Sequence, residues 1–177
     1  MKRLLIGIIS LCLVAWSSLG FAYDEGDLND LINEKKCGGT FTSCDLREVR
    51  LVDMDFSGAD LEGADLRNAY IENTRFTGAN MEGVDLRGAT LKYVDMTGAI
   101  VADSEMEDAK LLFVDLSVAD ISDSDIEDAS FIGVYLRRAK CTDVDFTEID
   151  TKLIDFTGAT GIEKGPCGKA SWGMCVK

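Results

Sequence analysis

Carboxylates are the reactive side chains this chain offers in quantity: 32 Asp and Glu stand against 18 Lys and Arg in 177 residues, a formal net charge of −14. Paired carboxylates can serve general acid–base work, glycoside hydrolysis or a calcium site. Other chemistries are closed off, because the sequence contains no histidine. Without it there is no Ser-His-Asp or Cys-His pair, no imidazole base and no His-ligated zinc or haem site. No Gly-rich phosphate loop opens a helix, and no nucleophile elbow is present. Binding to bare nucleic acid is not expected, since affinity there comes from Lys and Arg neutralising phosphates.

Residues 1–22 are predicted to be an export signal. Lys2 and Arg3 precede an apolar stretch from Leu4 to Trp16, and Gly20-Phe21-Ala22 supplies a small-x-small cleavage pattern. The stretch is short for a membrane span and no second one follows, so no stable span is expected after cleavage. Leu11, directly before Cys12, argues against lipoprotein processing. Cleavage removes two basic residues and no acid, giving a net of −16 and five cysteines in an oxidising, periplasmic or extracellular compartment.

The carboxylates are positioned by a repeat. Every fifth residue from Phe41 to Phe156 is apolar except Thr151, over 24 consecutive slots. The slot two residues earlier holds mostly Ala or Val, with Thr74, Ser104 and Ser124 among its exceptions, and Asp often sits between the two. Five helical steps advance a residue by about 140°, which makes no single face. An odd period also alternates between the faces of a flat strand. The pattern works if each unit is a short extended piece with its first and third residues pointing inward, followed by a corner. Four corners close a square coil of 20 residues, and glycines such as Gly58, Gly63, Gly83 and Gly133 fall in the corner slot.

The segment Ala59-Asp60-Leu61-Glu62-Gly63-Ala64-Asp65-Leu66-Arg67-Asn68 resembles the A-(D/N)-L-x-x signature of the pentapeptide-repeat family, and the match runs from Gly39 to about Gly158. The resemblance implies an all-β, right-handed quadrilateral β-helix of about six coils, a rod of roughly 29 Å at the usual strand spacing. Some members of that family mimic DNA and bind topoisomerases; an exported chain would not meet them.

Four segments follow: the signal 1–22, a capping helix and link 23–38, the repeat 39–160 and a C-terminal cap or tail 161–177. Residues 27–36 read as a short helix with Leu28, Leu31 and Ile32 on one face, closing the first coil. Proximity favours disulfides pairing Cys37 with Cys44 and Cys167 with Cys175, each closing a loop of about eight residues, worth roughly 2–3 kcal/mol. Cys141 then remains as a buried axial thiol, and no CxxC spacing suggests redox chemistry.

Stacking by 20 residues turns the surface into columns. One runs Asp45, Asp65, Asp85, Glu105, Asp125, Asp145; two residues on, its neighbour runs Arg47, Arg67, Arg87, Glu107, Glu127, Thr147. The early coils are therefore charge-compensated. Later, arginines become glutamates and Asp103, Asp108, Asp123 and Asp128 occupy corners, so that 102–148 holds 13 acids against four basic residues. Like charges at strand spacing repel unless salt, a cation or a basic partner offsets them. These columns are open to three readings: a solvated surface, an acidic face for a basic protein, or a calcium-binding rod. An EF-hand is excluded, because in the loop beginning at Asp123 the sixth place holds Asp128 and the twelfth Val134.

A second surface departs from polarity: Leu112 and Ile132 in an outward column, Tyr93 and Phe113 at the next corner, Tyr135 beyond. Such a patch is either covered by the tail around Trp172 or forms an interface, with a side-by-side homodimer as its simplest form. Catalysis is not expected, because a convex rod offers no cleft to gather carboxylates. The sequence thus reads as an exported structural and protein-interaction module without an obligatory cofactor, calcium being the alternative.

Overall fold

The computed structural model of the chain describes residues 23–36, 44–147 and 149–163, and the backbone of 174–175. Six short strands recur once per 20 residues: β1 Arg50–Val52, β2 Tyr70–Glu72, β3 Thr90–Lys92, β4 Lys110–Leu112, β5 Ser130–Ile132 and β6 Asp150–Lys152. Each pairs with the next in parallel and in register, Leu51 to Ile71, Ile71 to Leu91 and onward, as a single six-stranded sheet. Isolated parallel bridges at the same spacing form the other three sides of the coil, centred on Asp45, Asp55 and Asp60 and their successors. The chain is a parallel β-solenoid of square section.

Backbone groups are satisfied from coil to coil. Leu46 N–H donates to the Asp65 carbonyl and Asp65 N–H to the Cys44 carbonyl, each at 2.8 Å, and the pattern repeats along the rod. Inward side chains fill the axis: Leu46, Leu61, Leu66, Ile71, Phe76 and Met81 are wholly buried, and Phe56 stacks on Phe76 at 5.5 Å. Each such residue contributes about 1.5–3 kcal/mol.

Every described corner ends on a residue with positive φ, whether Gly58 at 66° or Asp103 at 54°. Many corners close with a turn bond such as Ala59 N–H to the Phe56 carbonyl, 2.9 Å. A second device explains the recurrent aspartate. Asp65, Asp95, Asp115 and Asp125 each accept, through Oδ1, the N–H two residues on, so the carboxylate fastens the corner it precedes.

The helix α1 spans Glu25–Glu34, two residues earlier at both ends than the apolar spacing predicts, because Asp24 caps it by accepting from Gly26 and Asp27 N–H. Leu28 and Leu31 enter the core cluster and Ile32 is partly buried against it. Asp27 Oδ2 accepts Asp45 N–H at 2.8 Å and the Lys35 carbonyl accepts Asp60 N–H at 2.9 Å. The helix thus covers edge groups of the first coil that would otherwise seek another strand.

At the far end the count is slightly smaller than the expected six. Five regular coils, 44–143, precede a sixth whose axial slot holds Thr151, with a buried hydroxyl that has no partner among the described residues. There β7 Ile154–Asp155 pairs antiparallel with β8 Met174–Cys175, so the tail closes part of the last edge by strand pairing. The proposed signal, 1–22, lies outside the described residues. Among those described, no helix is long and apolar enough to cross a membrane.

Candidate functional site

The Asp45 side of the rod is built as a ladder. Arg47 grips Asp45 with two bonds, Nε to Oδ1 at 2.9 Å and Nη2 to Oδ2 at 2.7 Å, while its Nε lies 3.7 Å from Asp65 in the next coil. Arg67 repeats the grip on Asp65 and reaches Asp85 at 3.3 Å; Arg87 grips Asp85 and reaches Glu105 at 3.0 Å. The Arg47 guanidinium holds Asp45 below the usual carboxylate range; at Asp65 burial opposes the lowering but the Arg67 bonds prevail. Bidentate guanidinium–carboxylate pairs are the strong form of this contact.

Arg87 is the last rung. Beyond it the columns continue as Glu105, Glu107, Asp125, Glu127 and Asp145; Arg87 lies 3.0 Å from Glu105 and 3.9 Å from Glu107, and among the described residues Asp125 and Glu127 have no cation within ion-pair distance. The flanking corners add Asp103, Asp123 and Asp143 on one edge and Asp108 and Asp128 on the other, all in the left-handed conformation, which Asp tolerates. Thus all eight predicted acidic-face residues share one side of two adjacent coils. Glu107 is pushed above the usual range, by burial first and then by Asp125, Glu105 and Asp85, against the pull of Arg87.

Sequence reasoning gave no role to Ser104 and Ser124, which hold this acidic corner. Ser104 Oγ donates to the Met81 and Ala102 carbonyls and Ser124 Oγ to the Val101 carbonyl, while Ser104 N–H donates to Ser124 Oγ at 3.2 Å. The only signal in the sequence is a hydroxyl, in two successive coils, in a slot that mostly takes Ala or Val.

Among the described residues no group of three or more Cys, Asp and Glu is arranged to hold a metal ion. The reason is geometric: columns on a flat side place carboxylates one strand spacing apart and parallel, whereas a calcium site needs them converging.

Diagonally across the section, half a coil from Asp103, lies the corner that follows the six-stranded sheet. Tyr93 and Phe113 stack there with ring centroids 5.2 Å apart and planes at 4°, exposed by 59% and 47%. Phe113 lies over Gly133, where a Cβ would meet its ring at 2.7 Å. Leu153 continues the column, 49% exposed. Tyr93, Phe113 and Leu153 all have positive φ, 52°, 56° and 58°, which costs bulky residues about 1–2 kcal/mol each. Of the other predicted patch residues, Leu112 and Ile132 are half-buried instead of exposed, and Tyr135 is 38% exposed beneath the Arg137 guanidinium. Ile100 and Val118 are exposed apolar residues that the sequence reading did not single out.

Cys44 is disulfide-bonded, and Cys141 is a free, buried thiol whose pKa burial pushes up to about 12. Cys37 and Cys167 lie outside the described residues, and Cys175 is described in its backbone alone.

No curated protein sequence matches the chain. Among solved structures, HetL, a pentapeptide repeat protein involved in heterocyst differentiation regulation from the cyanobacterium Nostoc sp. strain PCC 7120, superposes with a TM-score of 0.60 at 20% identity, over 77% of this chain and 64% of its own. The chain therefore spans less than two thirds of HetL's length. A pentapeptide repeat protein, Rfr23, from the cyanobacterium Cyanothece 51142 gives a TM-score of 0.52 at 18% identity, over 76% of this chain and 96% of its own. Likeness at this identity speaks for the fold alone. The family model for pentapeptide repeats matches in eight copies over residues 40–73, 64–103 and 115–150. With the period, the coil-to-coil register and this match in agreement, the chain belongs to the pentapeptide-repeat family.

Proposed function

We propose that this chain is a non-catalytic, exported interaction module that presents the acidic side of its later coils to a basic protein. One observation carries the reading: the arginine ladder that neutralises Asp45, Asp65 and Asp85 stops at Arg87, while the same columns run on as Glu105, Glu107, Asp125 and Glu127. A side that tolerates stacked like charges over two coils is set to gain from an incoming cation, and the bonds of Arg87 illustrate how a partner's guanidinium would sit. Export rests on Lys2, Arg3 and the apolar stretch that follows. The bonded state of Cys44 agrees with an oxidising compartment, and Cys37, seven residues away, is the partner we assign to it.

Capture of partners from the exported fraction tests the reading, comparing wild type with Glu107→Arg/Glu127→Arg. Basic proteins retained by wild type should be lost from the variant and should elute from wild type as salt rises. Recovery of the same proteins by both would overturn the acidic-face assignment.

A further inference from the structure

Around the apolar corner the charges are not symmetric. On the sheet side of Tyr93, Phe113 and Leu153 stand Lys92, Lys110 and Lys152; on the other side stand Asp95 and Asp115. Lys92 lies 5.4 Å from the Tyr70 ring centre, and among the described residues Lys110, Lys152 and Asp115 have no ion-pair partner. The corner therefore reads, across its width, as basic, apolar, acidic. The rings are also held ready: Tyr93 is stacked on Phe113, and Phe113 is seated on Gly133. Order in the free state lowers the cost of association. Bulky residues in a strained backbone conformation with half their surface in water bring the lone chain no evident benefit.

We infer that the occupant of this corner is a second copy of the chain, docked side by side with the two rods parallel and a twofold axis running along the ridge. Charge complementarity selects both the occupant and the orientation. A twofold parallel to the rod carries the lysine flank of one copy over the acid flank of the other, coil for coil. Lys92 then faces Asp95 of the second copy; one coil on, Leu112 stands opposite its Asp115, with Lys110 two residues farther from the ridge on the same strand. In the next coil, where both flanks are apolar, Ile132 faces Tyr135. Tyr93 and Phe113 meet their own counterparts on the axis. A twofold perpendicular to the rod would set lysine over lysine and acid over acid, which costs association energy. The ridge runs over four coils, about 15 Å at strand spacing, which is small for a permanent interface and fits micromolar association. This inference goes beyond the acidic-face reading and is independent of it, because the acidic corner lies diagonally opposite and stays outward on both copies.

Sedimentation equilibrium of the purified chain, with thermal melting as the folding control, tests it. Wild type should dimerise below about 100 µM. Tyr93→Asn/Phe113→Asn should be monomeric at tenfold higher concentration with a melting temperature no lower than wild type, since Asn73 occupies the same corner one coil earlier at φ 49°. Lys92→Glu should weaken the dimer at least tenfold, and adding Asp95→Lys should restore it to within about threefold; Arg75 shows that this column accepts a basic residue. A monomeric wild type, or a dimer that survives the Asn pair, overturns the interface. Tightening by Lys92→Glu overturns the parallel orientation. Glu107→Arg/Glu127→Arg should dimerise like wild type, so failure of the acidic-face reading and failure of this one are separable.

Discussion

In the coils of Asp45, Asp65 and Asp85, each carboxylate sits against an arginine two residues on; in the coils of Glu105, Asp125 and Asp145 that place holds Glu107, Glu127 and Thr147. The backbone does not register the change. Asp65 and Asp125 both fasten their corners to the N–H two residues on, at 3.2 and 3.1 Å, and Leu86 and Ile126 are equally buried below them. What differs is the outward electrostatics. The pentapeptide frame isolates surface from core so completely that one side of the rod can pass, within two coils, from a salt-bridged ladder to Asp125 and Glu127, which have no ion pair among the described residues. Stability and surface identity are thus carried by different residues of each unit, which leaves the outer columns free to serve recognition.

The sharpest way to break this comparison is in the core. Leu86→Ala and Ile126→Ala should each cost about 2–5 kcal/mol in urea unfolding, and by similar amounts, since both leave a cavity under the same side. A markedly smaller loss at Ile126 would mean that the acidic coils are not packed like the others.

Removing the middle rung comes next. Arg67→Glu strips Asp65 of its grip and Asp85 of its 3.3 Å neighbour, and should lower the melting temperature by less than either core substitution, because the pair is partly exposed. The loss should shrink in high salt; if Arg67→Glu is neutral, the ladder is ornamental and the two halves are alike.

The reverse change should have the smallest effect. Glu107→Arg/Glu127→Arg extends the ladder and should stabilise the fold by about 1 kcal/mol, with a higher melting temperature at low salt. It should also alter the response to acid. Because Glu107 binds its proton more tightly in the fold than its ordinary value of 4.5 implies, wild type gains stability as pH falls through that raised value. Asp45 and Asp65 are lowered from 3.8, so the stability they supply is present above 3.8 and is lost as pH falls further. Wild type should therefore show a shallow rise on mild acidification before the acid loss, and the variant only the loss. A rise of equal size in both would remove Glu107 as its source.

Much of this was legible without coordinates. A period of five with two inward slots admits one regular solution, and every described axial slot is buried, including Thr151. The columns followed from arithmetic on that period, so the eight acids and the Tyr93–Phe113 pair were placed on their sides in advance. The helix shifted by two residues because Asp24 caps it, while Asp27, the other aspartate before Leu28, gives its carboxylate to Asp45 N–H. The pairing of Ile154–Asp155 with Met174–Cys175 left no trace, since strands that close an end follow no repeat. That Leu112 and Ile132 would be half-buried beside Phe113 was likewise beyond a column count, because side-chain lean is not periodic.

The sequence by itself determined the coil, its core and the side on which each charge stands, because these depend only on which of five positions a residue occupies. Tertiary structure alone decided what neighbouring coils make of those positions. It turned Arg47, Arg67 and Arg87 toward the next coil's acid as well as their own, and laid Phe113 on Gly133. Those outcomes depend on distances between residues 20 positions apart, which side chains settle only once the coils are stacked.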